Sequence, residues 1–239
     1  AVAAVDLAPM IPAAGQRLSF GGIDLADPVA SASLPAQLTG SPTAASAPLT
    51  GLVNVAGGFV WETVSEGGWA AWERMYRINV RTAFEATRLT LPALRAARGA
   101  IVNVSAAATA RAGSGMGAYT AAKSAVSRLT EALAAEELAN GLRVNAVMPS
   151  VIDTPANRRD MPDADHSRWV TPSEIAEVVL NAEKKATKDP RQAYGAMQEQ
   201  MAELDYQLKC QAQQFRAWLA TVQEIRQGVR DARHGLHKP

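Results

Sequence analysis

Five short apolar runs punctuate the first 150 residues: AVAAVDL, QRLSFGGIDL, LTGLVNVAG, GAIVNVSA and LRVNAVMPS. Segments long enough for helices separate them, and each run ends in small or polar residues. Alternating strand and helix signals of this kind constrain the chain to an α/β fold, with a parallel sheet covered by helices. Strands buried on both faces read as nearly unbroken apolar runs, as several of these do. In such a sheet, ligand-binding groups gather beyond the carboxyl ends of the strands. Residues 68–96 carry apolar side chains three and four apart, as does Tyr119 to Glu137, and both are expected to be helical. The Ala-, Ser-, Pro- and Thr-rich stretch 29–50 predicts a short helix followed by a loop. Thr171-Pro172-Ser173-Glu174 has the pattern of a capping box with proline in the first helical turn, which starts another helix.

Composition supports a folded core and narrows the partners. Hydrophobic residues are 48% of the chain and charged residues 20%, the balance of a globular protein. The net charge is +1 without a cluster of lysines and arginines, so neither nucleic acid nor a membrane surface is expected as a partner. No run approaches the ~20 apolar residues of a membrane span. The apolar opening lacks a basic leader and is interrupted by Asp6, unlike a secretion signal, so a cytoplasmic location is the expectation. A strand-like run at residue 1 without an initiator methionine suggests a fragment or a processed chain. The lone Cys210 has no disulfide partner, and the histidines, two of them at His234 and His237, lack zinc-site spacing, so no metal site is expected.

Beyond residue 181 the character changes. A charged connector, AEKKATKDPRQ, leads into a segment without glycine until Gly228, apart from Gly195. There Tyr194, Met201, Leu208, Phe215, Val222 and Val229 share one heptad position, and Met197, Leu204, Gln211, Trp218 and Ile225 share the matching one. The expected organisation is an α/β domain over 1–181 and a long helix or coiled coil over 182–239, with a helix docked on the domain surface as the alternative.

The chemistry concentrates at GAYTAAK. Tyr119 and Lys123 stand four apart and so share one face of a helix. An unperturbed tyrosine has a pKa near ~10, and a neighbouring ammonium favours its phenolate, which suits the pair to proton transfer. The spacing alone is common on surface helices. Its context is not: a strand ending in NVSAAA, a glycine-rich loop RAGSGMG, the Tyr-Lys helix, then a strand ending in MPS.

Taken in that order, residues 1 to about 180 resemble the short-chain dehydrogenase/reductase family. The resemblance implies a Rossmann-like, doubly wound parallel sheet and hydride transfer between a nicotinamide cofactor and a carbonyl or imine. It assigns proton exchange to Tyr119, and to Lys123 both the lowering of that tyrosine's pKa and a hydrogen bond to the nicotinamide ribose. Asn79, in RINVRTAF, matches the asparagine that holds a relay water. LVNVAGG is similar to the family's NNAG turn, with Val55 in place of the second Asn, which puts Asn54, Ala56 and Gly57 against the cofactor. Pro149, Ser150, Ile152 and Thr154 match the segment facing the nicotinamide. Asp6 matches the acidic residue that accepts the adenosine ribose hydroxyls and favours NAD over NADP, and Asp24-Leu25 the pair flanking the adenine. A homo-oligomer formed through the two long helices is also implied.

Three departures qualify these expectations. Where the family has a catalytic serine, thirteen residues before the tyrosine, this chain has Ala106; Ser105 is adjacent, but neighbours on a strand face opposite ways. The site then resembles that of dihydropteridine reductase, with Ser105 as the available catalytic hydroxyl. No TGxxxGxG cluster lies in the first 50 residues, so the first strand-helix unit, with the turn that cradles the pyrophosphate, is expected to be missing. The heptad segment replaces the family's last strand. GSGMG at 113–117 precedes the Tyr-Lys helix and is expected to be structural or substrate-facing. The alternative to an enzyme is an inactive scaffold of the same fold that associates through its helices. A DNA-binding regulator is disfavoured, because no basic recognition helix is apparent.

Overall fold

The computed structural model describes residues 2–5, 17–40 and 48–184, which fall in a unit spanning Ala1–Ala186. Each apolar run contributes a strand. β1 (Val2–Val5) and β2 (Arg17–Phe20) pair in parallel, with Val2 opposite Arg17. β3 (Gly51–Asn54), β4 (Ala100–Val104) and β5 (Arg143–Val147) form a second parallel sheet in the order β3-β4-β5. Among the described residues no ladder joins the two sheets. The expected single sheet is therefore present in two pieces, each with the predicted parallel sense.

Between β2 and β3 lie two short helices, α1 (Pro28–Ser31) and α2 (Leu34–Gly40). The predicted helix over 68–96 is a continuous helical path with a change of pitch: α3 (Trp69–Tyr76), a π-helical turn (Arg77–Arg81), then α4 (Thr82–Ala97), which accommodates Pro92. α5 (Gly117–Glu136) is the Tyr-Lys helix, α6 (Pro155–Asp160) is short, and α7 (Pro172–Lys184) runs past the boundary expected at 181. The predicted capping box forms reciprocally, Thr171 N donating to Glu174 Oε2 at 2.7 Å and Glu174 N to Thr171 Oγ1 at 3.2 Å. Asp6 and the heptad segment lie outside the described residues. None of the described helices is long and apolar enough to cross a membrane.

The period of two along β4 sorts its side chains between two layers. Ile101 packs with Leu94 of α4, Leu133 of α5, Leu142 and Val144. Val102 and Val104 turn to the other face, against Val147, Val179 and Ile175 of α7. β4 is thus covered on both sides, as its sequence predicted. At the far end of α5, Glu137 is 1% exposed and its carboxylate takes a charge-assisted bond from Arg95 Nε at 2.7 Å and another from Asn140 at 2.9 Å. These partners hold the Glu137 carboxyl below its usual pKa and tie α4 to α5.

Candidate active site

The carboxyl ends of β3 and β4 and the first turns of α5 converge on one region. A polar ladder fixes the strands beneath it. Asn54 Nδ2 donates to Asn103 Oδ1 at 2.8 Å, its partner in the β3–β4 register, and to Thr87 Oγ1 of α4 at 3.2 Å. Asn103 Nδ2 donates to Thr130 Oγ1 of α5 at 2.8 Å. All of these groups are buried, so each bond also removes a desolvation penalty of about 1–3 kcal/mol that an unpaired group would carry.

Lys123 is 6% exposed, and its Nζ donates to Val104 O, the last carbonyl of β4, at 2.8 Å. Burial lowers its pKa to about 8. Tyr119, one turn earlier, is partly buried, and burial raises its phenol above the ordinary value. At neutral pH the pair is therefore an intact phenol beside an ammonium. Asn79 sits in the π-helical turn, a deviation from α geometry that is common at functional sites. Its side chain clamps the loop after β3: Oδ1 accepts Gly58 N at 3.2 Å, while Nδ2 donates to Gly58 O at 3.1 Å and to Met75 O at 3.0 Å.

Gly57 lies against Asn79 and Lys123. A Cβ built on it would lie 2.5 Å from Asn79 Oδ1 and 3.4 Å from Lys123 Nζ. The first distance is below any real contact, so Asn79 must move. Gly57→Ala is expected to cost about 1–3 kcal/mol of stability, as overpacking does, measurable by urea denaturation; a variant as stable as wild type would show that the clamp is loose.

The remaining expected positions are dispersed around this centre. Ser105 is 3% exposed, and its Oγ donates to Lys123 O at 2.9 Å and lies 2.8 Å from Ser127 Oγ. Its hydroxyl is committed to the underside of α5, on the face shared by Ile101 and Asn103. Ala106 follows in extended conformation, and Ala107 N donates to Pro149 O at 2.9 Å, bringing Pro149 and Ser150 beside the end of β4. Ile152 bridges Val170, and Thr154 caps α6 by accepting Asn157 N at 3.2 Å. Ala56 is exposed at the end of β3, next to Gly57. Asp24, beside Leu25, accepts Ala26 N at 2.9 Å and forms an ion pair with Arg77 at the start of the π-helical turn. The GSGMG loop is structural at Gly115, which adopts φ +72° and packs its backbone against the Trp61 indole.

A model of the short chain dehydrogenase family matches residues 6–165, two thirds of the chain, across all of these groups from β3 to α6. The chain belongs to the short chain dehydrogenase family. Among curated members it is similar to 2-(S)-hydroxypropyl-CoM dehydrogenase 3 of Xanthobacter autotrophicus, at 35% identity over 147 residues, 55% of this chain and 58% of that protein. It is also 35% identical over 174 residues to the inactive 2-(S)-hydroxypropyl-CoM dehydrogenase 2 of the same organism, covering 66% of this chain and 74% of that one. A solved short chain dehydrogenase/reductase family protein superposes with a TM-score of 0.62 at 29% identity, over 74% of this chain and 72% of that chain. The chain spans little more than half the length of the first of these relatives. This short chain dehydrogenase has a Rossmann-like α/β fold, and its family acts on small molecules with nicotinamide cofactors.

Two features of the site had no clear signal in the sequence. The π-helical turn that aims Asn79 contains neither Gly nor Pro, and Phe59, which packs edge-on against the Tyr119 ring at 5.0 Å and 79°, lies in a stretch that reads as ordinary apolar sequence.

Proposed function

We propose that the chain interconverts a carbonyl, or an imine, with its reduced counterpart, with Tyr119 exchanging the proton. The observation that carries this reading is the placement of the Lys123 ammonium and the Asn79 side chain against Gly57, with Tyr119 one turn before Lys123 on α5. The nicotinamide end of a dinucleotide fits these residues: Lys123 and Tyr119 would face the ribose, with Asn54, Ala56 and Gly57 on one side and Pro149, Ser150, Ile152 and Thr154 on the other. NAD is the cofactor favoured by Asp6, with Asp24 and Leu25 flanking the adenine. When bound, the nicotinamide supplies or accepts the hydride.

The protein's own part is to manage the proton. Tyr119 enters as a phenol because burial disfavours its phenolate, so it serves as the acid when the substrate is reduced. As the proton leaves, the Lys123 ammonium stabilises the charge developing on the oxygen. Asn79 holds the β3 loop in register, and the family resemblance assigns it the ordering of a relay water. Ser105 is positioned to anchor α5 instead of meeting the substrate, which supports a serine-lacking site like that of dihydropteridine reductase.

A second reading is favoured by the divided sheet. In a doubly wound sheet the turn that cradles the pyrophosphate follows a central strand, yet residues 1–50 hold no glycine cluster of that kind and β3 pairs on one side alone among the described residues. A chain lacking that unit would be a scaffold, associating with copies of itself through α3, α4 and α5. Titration with NADH at millimolar concentration distinguishes the two. The enzyme reading expects enhanced NADH fluorescence and a raised melting temperature; neither change, in a folded sample, supports the scaffold.

A further inference from the structure

We propose that Phe59 and Trp61 form an apolar wall beside Tyr119 that selects a carbonyl compound bearing a hydrocarbon ring or chain over one bearing a carboxylate. The inference rests on the oxidoreductase reading and gives it a substrate class. The loop after β3 is pinned along its length: Gly58 by the Asn79 side chain, Phe59 by its edge-to-face contact with Tyr119, and Trp61 by the backbone of Gly115. Glu62 N closes the series by donating to Gly115 O at 2.9 Å. Along this segment the side chains alternate. Val60 packs into the core with Met75, Ala118 and Ala122, while Phe59 and Trp61 turn outward. Both remain 52% and 58% exposed.

Two large apolar rings are held fixed on one side and open on the other, and Phe59 touches the proton-transfer group; such a surface is what an apolar ligand recognises. Their positions are set before binding, so little ordering cost opposes association. A carboxylate gains nothing there. Neither ring offers a counter-charge, and the Lys123 ammonium is buried and donates to Val104 O. Desolvating a carboxylate against this wall would go uncompensated.

Saturation-transfer NMR on the full chain tests the wall without requiring turnover, with cyclohexanone and acetoacetate as probes. Cyclohexanone should receive saturation in wild type and in Tyr119→Phe, and acetoacetate should bind more weakly. Combining Phe59→Ala with Trp61→Ala should weaken cyclohexanone by roughly tenfold or more, whereas Phe59→Leu with Trp61→Phe, which keeps an apolar surface, should retain most of the affinity. The proposal is overturned if the alanine pair binds cyclohexanone like wild type, if the conservative pair loses it equally, or if acetoacetate binds as tightly as cyclohexanone. Cyclohexanone binding as described but without reduction by NADH or NADPH would leave the wall standing and remove the oxidoreductase reading.

Discussion

Tyr119→Phe is expected to lower the rate of cyclohexanone reduction by about 10²–10⁴-fold, the usual contribution of a positioned general acid, while cofactor affinity stays nearly constant. The phenyl ring keeps the edge contact with Phe59 and the packing against the Met75–Val126 cluster, so the hydroxyl is the only group lost. Both kcat and kcat/KM should fall together, because the proton is needed in the transition state and not in the ground state. Steady-state kinetics with a far-UV spectrum to verify folding makes the comparison. A variant with rates within a few-fold of wild type would show that another group supplies the proton.

Lys123→Met is expected to make the protein more stable near pH 7 while removing its activity. Lys123 titrates at about 8 in the folded chain against 10.5 for the ordinary side chain. Between those values the unfolded chain holds the proton that the folded chain has released, so stability rises with pH across that window. Below it both states are protonated and the full burial penalty remains, on the order of 3 kcal/mol. Loss of the bond to Val104 O offsets about 1 kcal/mol, which leaves a net gain of roughly 2 kcal/mol for the variant. Tyr119 contributes with the opposite sign. Its folded pKa is raised, so stability falls as pH rises above 10, where the unfolded phenol ionises. Urea denaturation of both proteins from pH 7 to pH 10 should show a rising wild-type curve and a flat variant curve; parallel curves would show that Lys123 is not desolvated. Reduction by wild type should decline above about pH 8, as the ammonium that supports the departing proton is lost. A site that keeps a costly buried charge gives up stability for function.

The strands were legible because a run such as GAIVNVSA can be buried on both faces in few other ways, and α7 because Thr171 and Glu174 satisfy each other's backbone. The placement of Tyr119 and Lys123 one turn apart on α5 was legible because four-residue spacing is itself a geometry. What local sequence could not show depends on partners distant in the chain. The pairing of Asp24 with Arg77 spans 53 residues, and Trp61 lies against the backbone of the distant Gly115. Ser105 looked available on the sequence, but the β4 alternation turns its hydroxyl beneath α5, onto Lys123 O and Ser127. The π-helical turn reflects a shift in backbone hydrogen bonding that side-chain periodicity barely registers. Among the described residues the separation of β1–β2 from β3–β4–β5 is a property of pairing between strands, which apolar runs alone do not encode.

The most direct measurement follows an atom through the reaction: incubate the folded full chain with cyclohexanone and NADH, or NADPH, carrying deuterium in the transferable position, and analyse the alcohol by mass spectrometry. Deuterium on the carbinol carbon in wild type, with labelled alcohol forming about 10²-fold or more slowly in Tyr119→Phe, is the predicted result. Unlabelled or undetectable alcohol from wild type at saturating cofactor, or labelled alcohol formed by the phenylalanine variant at the wild-type rate, would contradict the assignment of Tyr119 and Lys123 as a proton-transfer pair serving hydride transfer.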